Sequence, residues 1–190
     1  MAPLIAAAAE ALAVCQAIGE RACLIGGLAV QRWGQPRATQ DVDLTVLAPI
    51  GSEARLVDGI LARLAPRSAT ARQFALDRRV LLVTASNGVK VDVSLAALTF
   101  EHEVLDRATP WKHVSGVSID TCSAEDLVIY KLIAARPQDL VDVTSIVQRQ
   151  GSRLDAERVR YWGREFAELK EDPDLLRPFE DAVGRVSPGS

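Results

Sequence analysis

The stretch DVDLTVL, residues 41–47, constrains the fold more than any other part of the chain. Successive side chains of an extended strand point to opposite faces, so residues two apart share one face. Val42, Leu44 and Val46 therefore make one apolar face, and Asp41, Asp43 and Thr45 make the other. A sheet with one buried side accommodates this alternation, whereas a helix would scatter both sets around its axis. The design recurs in VKVDVSL, residues 89–95, where Asp92 stands between Val91 and Val93 with Lys90 and Ser94 on its own side. Asn87-Gly88 separates that segment from RVLLVTA, residues 79–85, and Asn-Gly between two such runs is a strong hairpin signal.

Other elements can be placed around these strands. APLIAAAAEALAVCQAIG reads as a helix ending near Gly19, a C′ glycine. RACLIGG is a short buried strand stopping at Gly26-Gly27, LAVQRWG is one or two turns of helix, and QPRATQ is a loop marked by Pro36. SEARLVDGILARLA has helical periodicity with Ser52 at the N-cap, TFEHEVLDRA is helical, and GVSIDTC is a strand. Ser123 to Asp126 has the capping-box pattern that opens LVIYKLIAA, and Arg136 before Pro137 breaks that helix so that another begins. QDLVDVTSIVQRQ, DAERVRYWGREFAELK and DPDLLRPFEDAVGRV continue as helices, and SPGS is expected to fray. The expected class is α/β (α+β): a small mixed sheet with flanking helices over residues 1–122, and a C-terminal helical region, 123–190, packed on it.

Composition narrows the chemistry. A 190-residue chain with 48% hydrophobic residues can bury an ordinary core. With 22 basic against 25 acidic residues it has no global electrostatic footprint for nucleic acid, although a local basic groove remains open. Three cysteines (Cys15, Cys23, Cys122) without metal-type spacing fit small core residues in a reducing, cytoplasmic setting. His102 and His113 are the only histidines, too few for an imidazole zinc site. The alanine-rich start lacks a basic n-region and carries Glu10, so it reads as a helix rather than a signal peptide. No run approaches the roughly 18 apolar residues of a membrane span.

The carboxylates then need a reason. Two of them about 5 Å apart repel by roughly 3 kcal/mol at an effective dielectric of about 20. A fold keeps such a group only with raised pKa values, basic partners or a divalent cation. Hard oxygen ligands on a strand suit Mg²⁺, which completes its shell with water and phosphate oxygens; two such ions can clamp an in-line phosphoryl transfer. A solvated acidic sheet face is the plain alternative, and periodicity alone does not establish that Asp92 lies beside Asp41 and Asp43. Gly26-Gly27 at a strand-to-helix turn adds a place where backbone N–H groups can approach a phosphate.

Strand, Gly-Gly, short helix, Asp-x-Asp strand and a later Val-Asp-Val strand together resemble the nucleotidyltransferase superfamily of the polymerase-beta fold. GGLAVQRWGQPRATQDVDLTV resembles more closely the AbiEii-type bacterial toxin family, with its GG…R-x-T-x-D-[IV]-D signature, and SAEDLVIYKLIAARPQDLVDV resembles that family's downstream helical motif. The resemblance covers about residues 24–147. It implies a Mg²⁺-dependent enzyme moving a nucleoside monophosphate from an NTP to a hydroxyl acceptor, tRNA or protein, and a toxin held in check by a cognate antitoxin. It implies that Asp41 and Asp43 hold two metal ions, that Asp92 completes one of them and assists proton loss from the acceptor, and that Gly26 and Gly27 touch the phosphates. It extends nucleotide-binding roles to Arg37, Thr39, Lys131 and, in support, Asp139. From the residues alone, Arg37 and Thr39 are equally loop chemistry, Lys131 a solvated lysine, and Asp139 and Asp142 acids favoured at a helix start. Gly27 stands where the superfamily often has serine, and Gln138 where the toxin family often has a basic residue.

The expected rivals are a small-molecule nucleotidyltransferase of the aminoglycoside-modifying sort and a non-catalytic nucleotide-binding module of the same fold. In the C-terminal region, Val159, Trp162, Phe166 and Leu169 read as a core stripe. Arg153, Arg160 and Arg164 read as a solvated face that a polynucleotide acceptor could use.

Overall fold

The computed structural model describes residues 1–113 and 116–186, so the fraying expected of SPGS lies outside the described residues. The chain divides into two compact units. Residues 1–28 and 38–122 make the first; residues 29–37 and those from Ser123 onward make the second.

The first unit runs α1 (Ala2–Ala17), β1 (Ala22–Ile25), the start of α2 (Gly26–Trp33), β2 (Asp41–Leu47), α3 (Glu53–Leu61), β3 (Ala65–Pro66), α4 (Ala71–Arg78), β4 (Val80–Thr84), β5 (Lys90–Ala96), α5 (Thr99–Arg107), β6 (Thr109–Lys112) and β7 (Ser118–Thr121). Its seven strands form one mixed sheet in the order β3-β4-β5-β2-β1-β7-β6. β2 is parallel to β5 and β1 to β7; the other neighbours are antiparallel. Val42, Leu44, Val46, Val91 and Val93 are buried as the alternation requires, with α1 and α5 against β2. Thr45, placed with the acids by alternation, is also fully buried.

Local chemistry accounts for the element ends. α1 closes in a Schellman motif: Gly19 takes φ 81°, its N–H reaches Gln16 O (3.0 Å), and the Glu20 N–H reaches Cys15 O (2.9 Å). The hairpin at Asn87-Gly88 joins antiparallel β4 and β5, with Gly88 at φ 83°. Ser52 is the N-cap of α3 as expected, although its hydroxyl donates back to Pro49 O at 2.7 Å and does not cap the helix N–H groups, while the Glu53 carboxylate accepts the Gly51 N–H at 2.7 Å. Three elements went unforeseen: β3, α4 and β6. The two strands are short sheet edges containing Pro66 and Pro110, where a missing N–H is tolerated. α4 buries only Ala71 and Ala75, so its apolar signal is faint.

The second unit contains the rest of α2 with α6 (Ala124–Ala134), α7 (Pro137–Gln150), a single 3₁₀ turn (Gly151–Arg153), α8 (Ala156–Leu169) and α9 (Arg177–Val186). Ser123 caps α6 as expected, its Oγ accepting the Asp126 N–H at 3.1 Å. The break falls at Ala135 (φ 51°), and Pro137 starts α7 at a position where its missing N–H costs nothing. The α8 stripe is buried at Val159 and Phe166, but Leu169 is 70% exposed in the last turn. Arg160 pairs with Glu157 and Glu180 at 2.7 and 2.8 Å, while Arg153 and Arg164 donate to backbone carbonyls.

All three cysteines are buried thiols outside any disulfide, and burial, with help from Glu20, pushes the Cys15 thiol up to about 12. Among the described residues no helix is long and apolar enough to cross a membrane.

Candidate active site

Strand pairing supplies the adjacency that periodicity could not. In the parallel β2–β5 ladder Asp43 is the direct partner of Asp92, and Asp41 is the partner of Lys90. Neighbouring strands run about 4.8 Å apart, and partners in a ladder point to the same face. Asp43 and Asp92 therefore stand side by side, with Asp41 one pleat further along, and all three are half-buried.

Each carboxylate has a protein partner. The Thr39 hydroxyl donates to Asp41 Oδ1 at 3.3 Å, and the Gly27 N–H donates to Asp43 Oδ2 at 3.3 Å. Arg67 Nη2 donates to Asp92 Oδ1 in an ion pair. Asp92 is held above the usual carboxylate range: burial raises it and the charge of Asp41 adds to that, against the opposing fields of Arg67 and Lys90. The field of one aspartate thus reaches the other.

Gly26 makes the arrangement sterically possible. Its φ is 65°, a conformation costly for any residue with a Cβ, and a Cβ there would lie 2.0 Å from Asp43 Oδ2. The Gly-Gly turn is thus moulded around the second carboxylate of the Asp-x-Asp pair.

Among the described residues no group of three or more His, Cys, Asp or Glu side chains is arranged to hold a metal ion. The register and that finding point different ways, and the hydrogen bonds reconcile them. The backbone brings Asp43 and Asp92 together, while the side chains turn to Thr39, Gly27 and Arg67 instead of converging. As a donor set, three half-buried carboxylates on adjacent strands fit a hard, oxygen-seeking dication in kind, and the register carries Asp43 and Asp92 on neighbouring strand positions from which their side chains could turn to it.

Arg37, Lys131 and Asp139 belong to the second unit and form a network there. Lys131 is not solvated: it is 4% exposed, and its Nζ lies 2.8 Å from both Asp139 Oδ1 and Asp142 Oδ2. Arg37 grips Asp142 through two bonds, Nε to Oδ1 at 2.7 Å and Nη2 to Oδ2 at 2.8 Å. Gln138 donates to Asp142 Oδ1 at 3.3 Å, and Arg136 Nε donates to Asp139 Oδ2 at 2.6 Å. Burial alone would raise both acids, but the bonds from Arg136 and Lys131 hold Asp139 below the usual range, and those from Arg37, Lys131 and Gln138 do the same for Asp142. The helix-start reading of these acids is incomplete. Asp139 does accept the Arg136 N–H (3.3 Å), but its charge is answered mainly by side chains.

Arg67 is the site residue that sequence reasoning missed. It follows a two-residue edge strand, and only the ladder places it near Asp92. No local pattern around Arg67 marks it.

The model of the family described as "Nucleotidyl transferase of unknown function (DUF2204)" matches residues 5–174. No curated protein sequence matches the chain. Among solved structures, the chain is similar to the antibiotic-resistance factor ANT(2'')-Ia, with TM-score 0.54 and 14% identity over 88% of this chain and 95% of that one. It is also similar to an antigenic nucleotidyltransferase-like protein from Paracoccidioides brasiliensis, with TM-score 0.49 and 13% identity over 90% of each chain.

Proposed function

The chain belongs to that nucleotidyl transferase family, and from this premise we propose that Asp41, Asp43 and Asp92 carry its reaction, the transfer of a nucleoside monophosphate from an NTP to an acceptor hydroxyl. The observation that carries the reading is the in-register pairing of Asp43 with Asp92, two half-buried carboxylates side by side on parallel strands.

In this reaction the acceptor oxygen forms a bond to the α-phosphorus, the bond from that phosphorus to the bridging oxygen breaks, and pyrophosphate leaves. Asp92, beside Asp43, accepts the acceptor's proton. A divalent cation, for which Mg²⁺ is the natural choice, would be held by Asp41, Asp43 and Asp92 and would offset phosphate charge. Thr39 fixes one oxygen of Asp41, so that carboxylate is oriented before substrate arrives. The Gly26-Gly27 turn allows backbone to approach the β- and γ-phosphates, and the long Gly27–Asp43 contact is one that a phosphate oxygen can replace. Orientation and charge neutralisation do most of the work in such transfers.

Arg37, Lys131 and Asp139 were assigned to the nucleotide by resemblance. Their mutual ion pairs support another reading, in which they order the second unit.

For the acceptor, the resemblance of GGLAVQRWGQPRATQDVDLTV to the AbiEii-type toxin family implies tRNA or protein and the toxin of a toxin–antitoxin pair. The three buried thiols, free of disulfides, support a reducing, cytoplasmic setting. A small-molecule acceptor is the second reading, favoured by the fold similarity to an antibiotic-resistance factor. The test is to incubate the full chain with each α-³²P-labelled NTP, Mg²⁺ and, in separate arms, total tRNA, cell-lysate protein or an aminoglycoside panel. Label transferred in one arm and lost in Asp43→Asn identifies the acceptor class. Absence of transfer in every arm overturns the catalytic reading.

A further inference from the structure

Arg67 reaches Asp92 through the architecture of the sheet edge. Its N–H donates to Leu82 O at 3.1 Å, and Leu82 is the ladder partner of Asp92, so the three residues form one row across adjacent strands. The Arg67 side chain crosses above Leu82 and delivers one guanidinium nitrogen to Asp92 Oδ1, with 22% of the side chain exposed against 31% for Asp92. The contact is one-sided: Arg67 Nε is buried and pairs with no acceptor among the described residues. Arg37, by contrast, engages Asp142 as a fork through two nitrogens.

Charge explains why an arginine is there. Three carboxylates crowd this face, with Lys90 beside Asp41 as the other nearby cation, and Lys90 is exposed and strongly screened. A unit positive charge on Asp92 relieves the repulsion while no other cation is present. The same charge opposes any dication approaching the same oxygen.

We propose that Arg67 is the resident counter-ion of the carboxylate cluster, occupying Asp92 in the metal-free protein and giving way when a divalent cation binds. The inference rests on the catalytic reading of the three aspartates and adds a regulatory step to it. Arg67 sets how much cation the site requires, so Asp92 is neutralised by protein at low cation and released for use at high cation. Arg67 acts through Asp92 and is a positioning residue, not a group that touches substrate.

The experiment measures Mn²⁺ binding to the full chain without nucleotide, by titration calorimetry and by electron paramagnetic resonance of the free ion. Arg67→Met keeps an unbranched apolar stem over Leu82 and removes the charge; it is expected to bind Mn²⁺ at least fivefold more tightly than wild type. Arg67→Lys keeps the charge and is expected to stay within twofold of wild type, which guards against a loss of folding being read as an effect on affinity. In an Asp92→Asn background, Arg67→Met is expected to change the affinity by less than twofold, since the carboxylate that Arg67 occupies is gone. Affinity in Arg67→Met equal to or weaker than wild type overturns the proposal. So does a fivefold gain that persists in the Asp92→Asn background. If Arg67→Met shows no gain while Asp92→Asn weakens Mn²⁺ binding measurably, the counter-ion role falls and the catalytic reading stands. If neither wild type nor Arg67→Met binds Mn²⁺ at millimolar concentration and no label is transferred from any NTP, both fall together.

Discussion

In the first unit Asp41, Asp43 and Asp92 are half-buried, with Arg67 bonded to Asp92 and Lys90 the ladder partner of Asp41; in the second, Asp139 and Asp142 are about 98% buried and are met by Lys131, Arg37 and Arg136. The pKa directions follow the charge balance. Asp92 is raised, by burial first and then by the charge of Asp41, while Asp139 and Asp142 are lowered because bonds from their cationic partners outweigh burial. The same residue type does two jobs. Where cations match the acids and water is excluded, the cluster is architecture, and removing one member strands the others. Where the acids stay in reach of solvent and repel one another, the cluster is poised to accept something from outside.

Four measurements sharpen or break that comparison. The largest expected effect is on chemistry: Asp43→Asn should lower nucleotidyl transfer by about 10³-fold or more, the scale on which lost transition-state charge stabilisation is felt, and a loss below tenfold would remove Asp43 from the reaction. Next comes Lys131→Met, which leaves Asp139 and Asp142 short of their shared buried cation. It should cost about 3–5 kcal/mol in urea unfolding, and a cost below 1 kcal/mol would mean the network is not architectural. Gly26→Ala combines a left-handed backbone with a collision at Asp43 and should cost about 2 kcal/mol, with transfer activity lost alongside. Asp41→Asn should leave stability within about 1 kcal/mol of wild type or raise it, because it relieves the like charge on Asp92; a large destabilisation would place the first cluster with the second.

Acid titration gives a further contrast. Asp139 and Asp142 have folded pKa values below the ordinary 3.8, so the stability they contribute is complete above that pH and is lost as pH falls through their lowered values. Unfolding free energy should therefore decline below about pH 4 in wild type. The decline should be shallower in Asp142→Asn, and an unchanged slope would contradict the assignment.

Much of this was legible in the chain. The alternation in DVDLTVL and VKVDVSL, the Asn87-Gly88 turn, the Gly19 terminus and the Ser123 cap are local signals, and the structure carries each one out. Ser52 stands at the N-cap as its position in the sequence indicates, but a serine at a helix start has a choice of partners, and its hydroxyl donates to Pro49 O. Lys131 was misread because α6 buries residues around much of its circumference, so a polar edge cannot be located by periodicity. Residues 29–37 look in sequence like a continuation of the sheet region, yet they cluster with the later helices. Arg149 Nη1 donates to Gln31 O at 3.3 Å and Gln150 Nε2 donates to Trp33 O at 2.6 Å, partners more than a hundred residues away that no window of sequence contains.

By itself, then, the sequence determined which side chains share a face, because the two-residue period of a strand is a property of the backbone. It also determined that Gly26 can bend where it must, since only glycine adopts that backbone without strain. Tertiary structure alone decided that Asp92 pairs with Asp43, that Arg67 answers Asp92 and that Lys131 is shared by Asp139 and Asp142. The pairing of β2 with β5 and the ion-pair partners are set by the packing of segments far apart in the chain, beyond the reach of a local turn such as the one that fixes the β4–β5 hairpin.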